Sequence, residues 1–403
     1  MPDSRPSEMK EKRRVLITGF GIVSPIGTGV DENLAGLRAG KDGVSPVTVF
    51  DVAQTRCKTA GQVKDEWLKD VFPANRRIRR LHRSSRMVAA SLVEAVSMAG
   101  SASPELVVFS TSAGAMTNGE RFYRAVLQSK SRRSMAEWVG NYMPQKPILD
   151  SLELLNLRLP MQIISNACSS GSNSIGHAFN LVREGLHDCV ICGGYDPLSE
   201  LVFVGFDSLQ ASTPEKIRPF DLHRSGLVLG EGSAVLILES EQSAYKRKAI
   251  AHAEISGYGV STDTYHLTQP NPSGIGPRLS MERALQSAQS DSVDYVNAHG
   301  TATLYNDATE GTAISQLLPG VPISSTKSMM GHALGAAGSI EAVFCVLALR
   351  EQFLPPNIHF REPDPTWKFE VVANRSRPAS VRTVISNSFG FGGTNASLLL
   401  QAV

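Results

Sequence analysis

The sequence has no uninterrupted apolar run approaching the ~20 residues that cross a bilayer, so no helical membrane span is expected. It also lacks an excess of either charge: 40 Lys and Arg stand against 38 Asp and Glu, a net of +2. That balance gives no basis for nucleic acid or an anionic membrane as the main partner, and any basic patch must be local. Cysteine is scarce and odd in number, with five in 403 residues: Cys57, Cys168, Cys189, Cys192 and Cys345. A disulfide framework is therefore not expected, and a reducing, cytoplasmic setting is. The first 14 residues, MPDSRPSEMKEKRR, lack the apolar stretch of a secretion signal and read as a disordered lead-in. Low-complexity segments are absent too. What remains, 42% hydrophobic and 19% charged residues, is the composition of an ordinary packed protein.

The first ordered segment, VLITGFGIVS at 15–24, is short, β-branched and apolar, and is closed by Pro25 and Gly27. It reads as a buried strand and turn. A helix is expected from Asp31 to Ala39, with Asp31 as N-cap and Gly40 as the stop. A similar phrase, AEISGYGVST, recurs at 253–262, with Ile, Ser or Thr, Gly, an aromatic and Gly at matching spacing. This points to an internal duplication with halves 15–250 and 251–403, the charged segment from Ser240 to Lys248 closing the first. Further strands are expected at 106–110, 161–164, 189–192, 233–238, 293–297, 323–325, 383–387 and 396–401. Helical patterns at 83–99, 172–184, 277–289 and 338–350 lie between them. Such alternation predicts an α/β layered fold.

Cys168 stands in ISNACSSG, residues 164–171. A strand ends near Ile164 and a helix begins close to the cysteine, so the thiol faces unpaired N–H groups and the positive end of the macrodipole. That favours thiolate, the reactive form. The small residues Ser169, Ser170 and Gly171 allow close approach of substrate and backbone. Cys189 and Cys192 form a Cys-x-x-Cys pair inside an apolar run. Thioredoxin-like pairs open a helix and zinc needs two more ligands, so this pair reads as core strand.

Two histidines sit in glycine- and threonine-rich loops. His299 lies in NAHGTATLYNDATE, residues 297–310, and His332 in STKSMMGHALGAAG, residues 325–338, five residues after Lys327. Loops at strand ends are where α/β folds place chemistry. A metal site is not expected, because Asp307 and Glu310 do not form a ligand run with these histidines.

With these phrases the chain resembles an elongating β-ketoacyl-[acyl-carrier-protein] synthase of the thiolase-like superfamily, from about Arg14 to Leu400. The matching runs are TGFGIVSPIG (18–27), NACSSG (166–171), RPFD (218–221) with GEG (230–232), HGTAT (299–303), KSMMGHALGAAG (327–338) and NSFGFGGTN (387–395). The resemblance implies a thiolase-like layered αβαβα fold of two duplicated halves. It implies an acyl group held on Cys168 as a thioester, with the N–H groups of Cys168 and Phe391 as oxyanion hole. Malonyl on an acyl carrier protein would then lose CO₂, with His299 and His332 donating hydrogen bonds to the enolate oxygen. Lys327 would fix His332, with Glu310 as its partner, and Glu310, Thr301 and Thr303 would belong to the malonyl site. The glycine-rich loop of Phe389, Gly390 and Phe391 would gate the acyl pocket. Ala113, in STSAGA at 110–115, would stand where the pocket is narrowed in long-chain synthases and leave room for bulkier chains.

No cofactor is implied beyond the phosphopantetheine of the carrier protein. The basic run RRIRRLHRSSR (76–86), with Arg76, Arg77, Arg79 and Arg80, is a candidate docking patch for an acidic carrier. A homodimer is expected, a heterodimer being the alternative. Asp221, Arg224 and Glu231 read as loop supports. A thiolase would need a second cysteine near residue 388, and a starter-type synthase an asparagine at 332; neither is present. A non-catalytic chain-length partner would lack the nucleophilic cysteine. A ketosynthase of a specialised polyketide or polyene pathway stays open.

Overall fold

A computed structural model describes residues 12–70, 81–128 and 136–403. The core of the main sheet is two sets of five strands. The first is β1 (Val15–Ser24), β2 (Leu106–Ser110), β3 (Met161–Ile164), β4 (Cys189–Asp196) and β5 (Gly232–Ser240). The second is β6 (Ala253–Thr262), β7 (Tyr295–Asn297), β8 (Pro322–Ser324), β9 (Thr383–Gly390) and β10 (Thr394–Gln401). From the centre outward the sets run β1-β5-β4-β2-β3 and β6-β10-β9-β7-β8. Each is first, fifth, fourth, second, third in its own chain order. Directions repeat as well: the first three strands of each set are antiparallel neighbours, and the last pairings are parallel. The sets join where β1 pairs with β6, Val15 opposite Ile255. Two short strands, Gly27–Thr28 and Glu370–Val371, complete the sheet.

The recurring Gly-x-Gly has one cause in both places. A Cβ on Gly19 or Gly21 would lie 2.3 and 2.1 Å from the carbonyls of Ala95 and Ser91, in helix Arg83–Ala99. On Gly257 or Gly259 it would lie 2.2 and 2.1 Å from those of Ala284 and Ser280, in helix Ile275–Ala288. Each strand thus carries a helix backbone in direct contact, which only glycine allows.

Helices form three layers around two sheet layers. Arg83–Ala99 covers the outer face of the first set, packing with Phe109, Ile191 and Ile237. Ile275–Ala288 and Leu304–Leu317 cover the outer face of the second, with Ile385 and Leu399. Between the inner faces lie α3 (Ser170–Arg183) and α7 (Ala337–Glu351), numbering Val30–Ala39 as α1, Arg83–Ala99 as α2, Glu200–Ser208 as α4, Ile275–Ala288 as α5 and Leu304–Leu317 as α6. Every residue of α7 from Ala337 to Leu349 is buried, which explains an apolar surface all round. This is the five-layer α/β arrangement of the thiolase-like fold.

Several local expectations need correction. α1 begins at Val30, and Asp31 lies in its first turn rather than at the cap. Glu94 of α2 caps it instead, accepting from the Val30 N–H at 2.7 Å. Gly40 does end α1 in the left-handed conformation. Residues 1–11 of the expected lead-in, and the docking arginines Arg76, Arg77, Arg79 and Arg80, lie outside the described residues. Arg13 and Arg14, the last of that lead-in, are tied down by ion pairs to Asp188 and to Glu241 and Glu254. Among the described residues, no helix is long and apolar enough to cross a membrane.

Candidate active site

Cys168 follows β3 through a strained elbow. Ala167 has φ 56°, an uncommon value for a residue with a Cβ. Ser170 locks the turn, its Oγ accepting from the Asn166 N–H at 2.8 Å and donating to the Ala167 carbonyl at 2.5 Å. The elbow puts Cys168, 7% exposed, just ahead of α3. The N–H groups of Cys168 and Phe391 both act on its sulfur.

The expected thiolate is not the resting form. Burial pushes the Cys168 thiol up to about 11, against the pull of Lys327 and the Phe391 N–H. Desolvation outweighs the helix end here. Cys189 and Cys192 lie three apart on β4 and so face opposite sides of the sheet, in separate apolar clusters.

His299 follows β7. Its N–H and that of Gly300 donate to the two oxygens of Glu310, each at 2.8 Å. Gly300 takes φ 40°, with no room for a Cβ against Ser325. His332 follows β8 and the short helix Lys327–Met330. Its N–H donates to the Val228 carbonyl at 2.7 Å, and its carbonyl accepts from Gly230 at 2.9 Å. The GEG run therefore braces the second histidine loop.

The imidazoles meet edge to face, with centroids 5.3 Å apart. Both are essentially buried, and Nδ1 of His299 and both ring nitrogens of His332 have no hydrogen-bond partner. An unpaired buried polar atom is costly, and a catalytic role is one reason to keep it. Burial holds both histidines well below their ordinary value, and Lys327 adds to the effect. Each is a neutral imidazole at pH 7, with one N–H to give.

Lys327 does not pair with Glu310. Its Nζ donates to Glu341 of α7 at 2.5 Å, both side chains fully buried. Burial pushes Glu341 up to about 7 against the pull of Lys327. Glu310 lies behind the His299 turn, bonded to backbone and Asn387, and not on the cavity. Glu341 was missed in the sequence, where its signal is a carboxylate inside the apolar run from Ala337 to Leu349.

Cys168, His299, His332, Thr301, Thr303 and Phe391 line one cavity of about 230 Å³. Thr301 and Thr303 share a hydrogen bond of 2.9 Å. Phe389 and Gly390 line it too, the Phe389 ring 5.8 Å from His299. Ala113 does not. It lies in an apolar cluster with Leu198, Phe203, Leu227 and Leu334, and its N–H donates to Asp196 at 2.8 Å. No open space beside Ala113 belongs to this cavity. Asp221 accepts three backbone N–H groups and Glu231 binds Arg83 and two more, so both hold loops. Arg224 reaches the Asp221 and Leu304 carbonyls.

A thiol on a strained elbow, two backbone donors at its sulfur and two neutral histidines opposite define a condensing enzyme on a thiolase-like fold. The family models for the beta-ketoacyl synthase N-terminal and C-terminal domains match residues 12–244 and 252–361. The chain belongs to the beta-ketoacyl synthase family. It is 36% identical to a 3-oxoacyl-[acyl-carrier-protein] synthase 2 of Synechocystis, covering 97% of this chain and 98% of the relative. It is 37% identical to the enzyme of the same name from Coxiella burnetii, over 98% and 99% of the two chains. Among solved structures, the ishigamide ketosynthase/chain length factor superposes with TM-score 0.89 at 34% identity, over 97% and 100%. A type II polyketide ketosynthase solved with its acyl-carrier protein gives 0.88 at 28% identity, over the same shares.

Proposed function

We propose that the chain is a β-ketoacyl-acyl-carrier-protein synthase that joins an acyl group on Cys168 to malonyl carried by the same kind of protein. The observation that carries this reading is the Cys168 sulfur under two amide donors, with two unpartnered neutral histidines on the same cavity. In the first step Cys168 forms a thioester with the acyl carbon, and its proton leaves on the carrier's thiol. The amides of Cys168 and Phe391 hold the oxyanion. In the second, malonyl loses CO₂, and N–H groups of His299 and His332 receive the enolate oxygen. The carbanion attacks the acyl carbon and frees Cys168, which regains a proton. Lys327, paired with Glu341, keeps the histidines neutral and donating. Thr301 and Thr303 would hold the arm of the malonyl carrier, and no cofactor is needed beyond that phosphopantetheine.

The repeated strand order supports two duplicated halves, 15–250 and 251–403. A homodimer is the expected assembly. The likeness to a ketosynthase/chain length factor structure supports a second reading, a ketosynthase of a specialised polyketide or polyene pathway working as a heterodimer. Cys168 and both histidines count against a non-catalytic chain-length partner. Five unpaired cysteines support a reducing, cytoplasmic setting.

Intact-mass measurement after incubation with a panel of acyl-carrier thioesters tests the reaction, with Cys168→Ala alongside. A mass gain on the wild type alone is expected, and the acyl group that loads best identifies the pathway. No loading by any thioester, even with malonyl carrier and partner subunits added, rejects the condensing reading.

A further inference from the structure

One aromatic contact at the cavity lies outside the residues given a role so far. The Phe206 ring of α4 stacks on Phe391, centroids 5.4 Å apart and planes 16° from parallel. Both line the cavity with Cys168. The two partners are held by different means, α4 by side chains and the Phe391 loop by backbone, where the Gly392 N–H donates to the Leu267 carbonyl at 2.7 Å and the Gly393 carbonyl accepts from the Asp263 N–H at 2.8 Å. α4 is bolted at both ends: Glu120 accepts from the Leu201 N–H and the Ser199 hydroxyl, at 2.8 and 2.7 Å. At the far end, Asp207 accepts the N–H groups of Arg56 and Cys57 at 2.9 and 3.1 Å. Phe391 instead sits between Gly390 and Gly392, followed by Gly393. Gly392 and Gly393 have φ 80° and 76°, and a Cβ on Gly392 would meet nothing within 4 Å. The same Phe391 supplies an N–H to the Cys168 sulfur.

We propose that Phe206 is a positioning residue for this site. Its fixed ring clasps Phe391, so that the Phe391 amide stays aimed at Cys168 until a long acyl chain displaces the ring. The inference rests on the condensing reading above. A short acyl group enters beside the seated ring, whereas a long one must first part the two rings. The clasp therefore weighs against long chains and makes Phe206 a determinant of chain selectivity. A stacked pair corresponds to about 2- to 10-fold in an equilibrium constant.

The test measures single-turnover loading of Cys168 by intact mass, with one short and one long acyl-carrier thioester. It compares wild type, Phe206→Ala, Phe206→Leu and Phe206→Tyr, with thermal midpoints beside them. Phe206→Ala is expected to raise the long-to-short ratio of loading rates about 2- to 10-fold. Phe206→Tyr, which keeps the stack, returns it to the wild-type value. If Phe206→Ala does not fold, Phe206→Leu serves, with a smaller rise expected. An unchanged ratio in the folded truncated variant, or a Tyr variant that behaves like Ala, overturns the clasp alone. A wild type that loads nothing overturns the condensing reading and the clasp with it.

Discussion

β3 and β8 hold the same place in their two sets, and each leads into a central helix. β3 feeds α3 through the Cys168 elbow, and β8 feeds α7 through the segment of Lys327 and His332. The helices touch through matching Gly-Ser pairs. A Cβ on Gly171 would lie 2.7 Å from the Ser339 N–H nitrogen, and one on Gly338 2.5 Å from Ser172 Oγ. Against that shared geometry the chemistry diverges. The first half offers a thiol raised to about 11, with no ion pair of its own. The second buries Lys327 against Glu341, a carboxyl pushed up to about 7, behind imidazoles held well below their ordinary value. Burial dominates in both, with opposite signs: it disfavours thiolate and imidazolium alike. The thiol and both imidazoles that line the cavity therefore rest neutral.

Removing one member of the second half's ion pair is the hardest blow to that balance. Lys327→Ala strands Glu341 in the core and is expected to cost about 3–5 kcal/mol in denaturant unfolding at pH 8. Folded Glu341 already binds its proton up to about 7, against 4.5 for the unfolded group, and the variant binds it more tightly still. The folded state then holds the extra proton, so the variant's stability falls as pH rises and its deficit is smaller at pH 5. A deficit independent of pH would remove Glu341 from the explanation.

His332→Ala separates the halves kinetically. Condensation should drop by about 10²–10³, the usual loss for one oxyanion donor, while acyl loading of Cys168 continues. Equal losses in both steps would mean that the two sites do not divide the labour. The shared helix contact is probed by Gly171→Ala and Gly338→Ala. Each should destabilise by about 1–3 kcal/mol through overpacking, and similar losses at the two positions would sharpen the likeness. The smallest effect concerns the thiol. Alkylation of Cys168 should quicken about tenfold per pH unit from 7 to 9, because thiolate is the reactive form and its pKa is about 11. A plateau near pH 8 would place the thiol far lower.

The residues that line the cavity around Cys168 were legible because each stands in a short run whose small neighbours must pack in one way. NACSSG, HGTAT and GFGGTN dictate turns, and turns place Cys168, His299 and Phe391. The strands of both sets were readable for a related reason, since buried β-branched runs are short and bounded. Lys327's partner was not legible. Glu310 is 17 residues back in sequence but caps the His299 turn, while Glu341 reaches Lys327 only because α7 packs between the sheet layers. The thiol's protonation was misread for the same reason, because desolvation depends on what covers a residue. Asp31 failed as a cap because Glu94, from another helix, supplies the bond.

The pairing of β1 with β6 carries a consequence for how the chain is made. β1 precedes the other nine strands of the two sets, yet its neighbour on one side is β6, and the helix that covers its inner face with α3 is α7, which follows β8. At about 5–20 residues per second, the stretch from Ser240 to Glu351 at the end of α7 takes roughly 6–22 s to emerge. For that interval the first half has an uncovered apolar face, and until Thr262 at the end of β6 has emerged it also has an unpaired edge at β1. An unpaired edge and a bare apolar face are templates for pairing with other chains, so a cavity built from both halves leaves the newborn first half exposed to association until the second is made.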